Sequence, residues 1–198
     1  MKVGVLSLQG DVREHVSALI SCGINPVEVR RPSELAQIDA LVIPGGESTT
    51  IAQLSEIFGL YQPIRERIAA GMPVYGSCAG MILLANNILD SKAGQKTFGG
   101  LDITVRRNAF GRQVDSFESD ISFADGSSHL IHAVFIRAPW VEEIGANIEV
   151  LATIDEHPVA VRSASILATS FHPELTHDHR IHRYFLEEVA KPALEKVK

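Results

Sequence analysis

Short apolar runs separated by amphipathic stretches dominate the first half of the chain. Residues 3–8 are apolar and rich in β-branched side chains, as in a strand buried on both faces, and end at the turn Gln9-Gly10. A helix is expected over 11–21, with Val12, Val16, Leu19 and Ile20 as its apolar face and Gly23 closing it. Strands are expected at 26–30 and 40–43, the second running into Pro44-Gly45-Gly46-Glu47-Ser48. In that turn Ser48 or Thr49 is the expected N-cap. Helices follow over 49–58 and 61–70, then a buried strand enters Gly76-Ser77-Cys78-Ala79-Gly80, with a helix over 79–86. Strands alternating with helices predict parallel βαβ units, with function at the carboxyl ends of the strands.

After residue 89 the rhythm changes. Strands are expected at 101–106, 113–123, 132–136, 148–154 and 159–162, closely spaced and so paired antiparallel. Residues 166–171 return as a buried strand ending in His172-Pro173-Glu174, and a last helix covers 178–189. The fold class expected is α/β: a three-layer, flavodoxin-like sandwich with a mostly parallel central sheet and added antiparallel strands.

The 198 residues suit a single domain. A net charge of −6 argues against nucleic acid or an anionic membrane surface as the main partner. Two cysteines far apart in sequence form no disulfide framework, the opening residues show no signal-peptide pattern, and a cytoplasmic location is expected.

Cys78 is the candidate nucleophile. Small residues on both sides let a sharp strand-to-helix turn close, and the helix N-terminus favours a thiolate. Cys22 reads as core filler. A cysteine nucleophile needs a base, and the base needs an orienting group. His172 and Glu174, two residues apart at a strand end, can point to one face and fill those roles. Glycines at 45 and 46 bring backbone N–H groups close to a substrate, as an oxyanion hole requires, with the amide of Ala79 as second donor. An ordinary strand-to-helix turn would use the same residues, and geometry alone does not choose.

These motifs, in this order, resemble the class I (triad-type) glutamine amidotransferases. The narrower resemblance, to the glutaminase subunits of pyridoxal 5′-phosphate synthase, rests on residues 8–15, 107–117 and 135–139. It implies hydrolysis of L-glutamine to glutamate and ammonia, with the ammonia passed to a separate synthase (lyase) subunit in a hetero-oligomeric complex. It also implies a catalytic triad of Cys78, His172 and Glu174, and an oxyanion hole from Gly46 and Ala79. Glutamine would be held by Gly46, Glu47, Ser48, Arg107, Ile136 and Arg137, with no cofactor and no metal. A further implication is control by docking, in which the synthase reorients the Gly45-Gly46 peptide so that an N–H replaces a carbonyl in the oxyanion hole. Three alternatives stay open: the glutaminase of another amidotransferase, a cysteine hydrolase on a similar sheet, and a non-catalytic regulatory subunit.

The remaining candidates carry less. His15 is expected on the first helix beside the crevice, as a partner-docking or plain surface residue. His177, His179 and His182 cluster near the last helix without a zinc pattern. Arg112 and Gln113 lie in the specific 107–117 segment, facing a synthase or serving structure.

Overall fold

The computed structural model describes residues 1–91, 94–109 and 116–196. Its central sheet has seven strands. Five run parallel: β1 (Val3–Leu6), β2 (Val27–Val29), β3 (Ala40–Ile43), β4 (Val74–Ser77) and, from the far end of the chain, β12 (Ile166–Thr169). In space they follow the order β2-β1-β3-β4-β12. This is the flavodoxin-like order, in which the sheet is wound in both directions from its first strand. The antiparallel strands β11 (His157–Arg162) and β10 (Glu149–Ile154) extend the sheet beyond β12.

Alternation along the strands builds a core on each face. Leu6, Leu41, Ile43 and Val74 pack towards the short α2 (Pro32–Leu35), α3 (Ser48–Ile57), α4 (Tyr61–Ala69) and α5 (Ala79–Leu84). Val3, Val5, Ala40, Val42 and Tyr75 pack on the other face, against α1 (Val12–Ser21) and the C-terminal helix. That helix begins as α6 (Arg180–Tyr184), widens into a π-helical stretch (Phe185–Ala190) and resumes as α7 (Lys191–Glu195).

Two small sheets complete the fold. One contains β5 (Ala85–Leu89), β6 (Leu101–Arg106) and β9 (Trp140–Ile144), and the other pairs β7 (Ser116–Ile121) with β8 (Ile131–Ile136). The elements expected from the sequence are present within a few residues, with four differences. The helix after Cys78 stops at Leu84 instead of continuing to residue 86, because Ala85 turns extended and Ala85–Leu89 pairs with β6. That pairing is parallel, although antiparallel was expected after residue 89. Strand β9 was not foreseen; Val141 is buried, while Glu142 and Glu143 masked the alternation. Ile20, expected on the buried face of α1, is 53% exposed, and His15 takes the buried place instead. The first residues of the strand expected at 113–123, with Arg112 and Gln113, lie outside the described residues.

Candidate active site

The carboxyl ends of β3, β4 and β12 lie side by side, and each delivers one part of the site. Strand β4 runs straight into Cys78, which takes φ +46° and ψ −99° before α5 begins at Ala79. A non-glycine residue at positive φ is strained, and here the turn around it is fixed by packing. A Cβ on Gly76 would stand 2.5 Å from the Gly80 carbonyl carbon, and one on Gly80 would stand 2.4 Å from the Ile43 carbonyl oxygen. Both glycines are therefore required for the elbow to close on the sheet. The Cys78 amide donates to the Thr169 carbonyl at 2.7 Å, pinning the elbow to β12. Ala79, as the first residue of α5, has no carbonyl of its own helix to bond.

Just beyond β12, His172 is buried and its amide donates to the Val134 carbonyl. Its Nδ1 lies 2.8 Å from Glu174 Oε1 and 3.2 Å from Asp11 Oδ2. The carboxylates thus set the tautomer and leave Nε2 buried and without a hydrogen-bond partner. Burial works against a charge on His172, yet Asp11, Cys78 and Glu174 together lift its pKa far above the ordinary histidine value. Burial would likewise raise Glu174, but His15 and His172 hold it below the usual carboxylate range. The three donor atoms of Asp11, His172 and Glu174 lie within 4.8 Å of one another, the one such group among the described residues. Two carboxylates on a single imidazole nitrogen orient a base, and the arrangement reads as such.

The loop after β3 folds over the same end of the sheet. Gly10, at φ +103°, lies so close to it that a Cβ there would sit 1.7 Å from the Gly45 carbonyl oxygen. That oxygen accepts from the Asp11 amide at 3.1 Å. In a trans peptide the N–H points opposite to the C=O, so this bond turns the Gly46 N–H the other way. The Gln9 side-chain oxygen accepts from the Glu47 amide at 2.8 Å and fixes the next peptide. Glu47, not Ser48 or Thr49, is the N-cap of α3: its carboxylate accepts from the Thr50 amide at 2.7 Å. Burial would raise its pKa, but the bonds from Thr50 and Thr49 lower it to about 2.

Cys78, His172, Gly46, Glu47, Ser48, Arg107, Ile136 and Arg137 all line one cavity of about 560 Å³. Its walls are tied together. Arg107 donates to Gln95 at 2.6 Å and to Glu47 at 3.3 Å, while Gln95 donates to the Ser48 hydroxyl at 3.1 Å. The Ile136 carbonyl lies 3.8 Å from Cys78 Sγ, and Arg137 follows at φ +43°. Glu174 and Ala79 do not line the cavity; they lie beside His172 and Cys78 respectively.

The sequence reading did not single out Gln9, Asp11 or Asn108 as lining residues of the cavity, although all three fall inside segments that it used for the resemblance. It also placed His15 at the surface or in a docking role, whereas His15 is fully buried. His182, passed over as a member of an unremarkable cluster, is buried with it.

A family model described as the SNO glutamine amidotransferase family matches residues 5–191. The chain belongs to this family. Among its curated relatives is a pyridoxal 5′-phosphate synthase subunit PdxT from Parafrankia sp., 59% identical over 188 residues and covering 95% of this chain and 93% of that protein. A subunit of the same name from Mycobacteroides abscessus is 60% identical over 187 residues, covering 94% and 96%. A crystal structure of a glutamine amidotransferase superposes with a TM-score of 0.88 at 48% identity, over 94% of this chain and 98% of the other. The likeness to PurLQS from Thermotoga maritima, TM-score 0.65 and 16% identity over 100% of both chains, concerns the fold alone. Family membership accords with an elbow cysteine, an oriented histidine and a two-glycine loop meeting at one cavity.

Proposed function

We propose that this chain is the glutaminase subunit of a pyridoxal 5′-phosphate synthase, acting as one amidotransferase domain. It hydrolyses L-glutamine to L-glutamate and ammonia. The observation that carries the catalytic reading is the placement of His172, with Nδ1 on Glu174 and a buried, otherwise unpartnered Nε2 left for the elbow cysteine.

Cys78 passes its thiol proton to His172 Nε2 and its Sγ attacks the side-chain amide carbon, and the developing oxyanion is met by the Gly46 and Ala79 amides. His172 gives its proton to the departing ammonia, leaving a thioester on Cys78. It then takes a proton from the water that hydrolyses the thioester. Glu174 keeps the imidazole in the productive orientation throughout. Elsewhere along the cavity wall Arg107 and Arg137 supply charge for the α-carboxylate, and Glu47 supplies an acceptor for the α-amino group, while the Ile136 carbonyl lines the wall beside Cys78. Ser48 and Gly46 complete the wall.

Ammonia is consumed by a separate synthase subunit, with which this chain forms a hetero-oligomer. Relatives at 59–60% identity that carry the synthase-subunit name support that partner. Both cysteines are unpaired, and among the described residues no helix is long and apolar enough to cross a membrane, so a cytoplasmic site of action is proposed.

The test is glutamate release from glutamine, with and without a pyridoxal 5′-phosphate synthase subunit, for wild type and Cys78→Ala. Release that rises with the synthase and vanishes in Cys78→Ala is expected. Cys78-dependent release indifferent to the synthase would discard the partner, and absence of Cys78-dependent release in both conditions would discard the glutaminase.

A further inference from the structure

Behind the triad lies a line of buried polar side chains that the glutaminase mechanism does not use. Glu174 Oε1, already bonded to His172, accepts from the Ser77 hydroxyl at 3.3 Å and lies 3.4 Å from His15 Nε2. The same His15 nitrogen is 2.9 Å from Ser77 Oγ, and His15 Nδ1 is 3.0 Å from His182 Nε2. His15, Ser77 and His182 are all fully buried. Two imidazoles and a hydroxyl have been brought out of solvent from three separate elements, α1, β4 and α6.

The hydrogen bonds have one consistent direction. Ser77 gives its only proton to Glu174, so its oxygen accepts from His15, which must carry a proton on Nε2. In the neutral imidazole His15 Nδ1 is then an acceptor, and His182 Nε2–H donates to it. Each donor in the line points towards Glu174.

We propose that His15, backed by His182, is a positioning residue of the triad: through Nε2–H it holds Ser77 and Glu174 so that the carboxylate stays ionised and aimed at His172. The inference rests on the glutaminase reading given above. A core built only for packing would place apolar side chains here, since burying polar groups costs free energy, the more so where one of them, His182 Nδ1, has no hydrogen-bond partner. Around Glu174 stand Asp11 at the N-cap of α1, His15 from α1, Tyr75 and Ser77 from β4, His172, and His182 with His179 beside it, while Arg13 and Glu14 of α1 and His177 line the cavity that Glu174 shares on its outer side. Tyr75 stands edge-on to His15 and His182 at 5.9 and 5.7 Å, and its hydroxyl is taken by Thr169. His182 is held neutral, its pKa pushed down to about 3 chiefly by burial. That suits it to orient His15 without adding charge.

The experiment compares wild type, Cys78→Ala, His15→Phe and His15→Gln in the synthase complex, measuring kcat, KM and the pH profile of glutamate release. Phe keeps the ring and removes the donor; Gln restores an N–H near the Nε2 position. In His15→Phe kcat falls about 10- to 100-fold, the worth of one hydrogen bond to a charged group, while KM holds. The acid limb of the profile moves to higher pH, because a less stabilised Glu174 takes up its proton earlier, and Gln recovers much of the loss. An unchanged kcat and acid limb in His15→Phe would overturn the proposal while leaving Cys78-dependent release intact. Loss of the glutaminase reading would appear instead as wild-type release no higher than Cys78→Ala. Should the Phe variant not fold, nitrogen NMR of histidine-labelled wild type decides: a protonated Nε2 on His15 supports the proposal, and an unprotonated one overturns it.

Discussion

Asp11 shares the His172 imidazole with Glu174: its carboxylate stands 3.2 Å from the Nδ1 that Glu174 holds at 2.8 Å. The two differ in setting, because the Glu174 side chain is fully buried and the Asp11 side chain is 35% exposed. Asp11 therefore contributes a solvent-screened attraction, whereas Glu174 fixes the geometry. Asp11→Asn keeps the shape and removes the charge. His172 is raised by these partners, so its protonated form survives to high pH and is lost as pH rises through the folded value. With Asp11 neutral that loss comes earlier. The basic limb of kcat/KM for glutamate release is expected to move to lower pH, with kcat down about two- to fivefold, in keeping with a partly exposed ion pair. A basic limb at its wild-type position would show that Asp11 does not act on His172.

The Gly10–Gly45 contact predicts a second effect. A methyl group at Gly10 would meet the Gly45 carbonyl oxygen at 1.7 Å, so Gly10→Ala must push the two-glycine loop away from α1 or distort its own turn. Either movement breaks the bond from the Asp11 amide that orients the Gly45-Gly46 peptide. Loss of one oxyanion donor lowers kcat about 100- to 1,000-fold. The thiol stays in place at its own elbow, so alkylation of Cys78 by iodoacetamide is expected to continue. Equal losses in turnover and in labelling would mean that the substitution disturbs the elbow instead. The same bond bears on control by docking. With the Gly45 carbonyl tied to Asp11, partner binding would have to act on α1 or the Gln9-Gly10 turn to move the peptide.

Arg107 is the cation most firmly built into the cavity wall, through Gln95 and Glu47. If it receives the glutamine α-carboxylate, Arg107→Ala removes a charge-assisted hydrogen bond made equally in the ground and transition states. KM is then expected to rise about 10- to 100-fold with kcat little changed. Steady-state kinetics in the synthase complex checks this, and an unchanged KM would remove Arg107 from the substrate site.

Much of this arrangement was legible in the chain because its requirements are local. Gly76 and Gly80 flank Cys78 within five residues, and the steric demand that makes these two positions glycine is the one that the motif itself implies. His172 and Glu174 are two residues apart for the same reason. Parallel strands announce themselves through apolar runs such as 40–43. What escaped was set by distant partners. His15 looks like a surface residue on an amphipathic helix until Ser77, 62 positions away, and His182, 167 positions away, supply its hydrogen bonds. Strand β9 depends on pairing with β6, which no local pattern reveals. Glu47 took the capping role from Ser48 because its side chain reaches forward to the Thr50 amide, while Gln95 engages the Ser48 hydroxyl.

That cap makes a prediction about stability. Glu47 accepts from both the Thr50 amide and hydroxyl, at 2.7 and 2.8 Å, and its pKa is lowered to about 2 from 4.5. A carboxyl group depressed on folding stabilises the native state above its unfolded value, and that stabilisation is lost as pH falls towards the folded one. The window is therefore about pH 4.5 down to about 2. Glu47→Ala should cost about 1 kcal/mol at neutral pH, as for other N-caps, and the difference from wild type should shrink through that window. Because the side chain is 45% exposed, salt should reduce the part due to Arg107, while the capping bonds to Thr50 persist. Denaturant unfolding of both proteins between pH 7 and pH 3 measures the difference directly. A gap that stays constant with pH would mean that Glu47 stabilises α3 by packing and not by its charge.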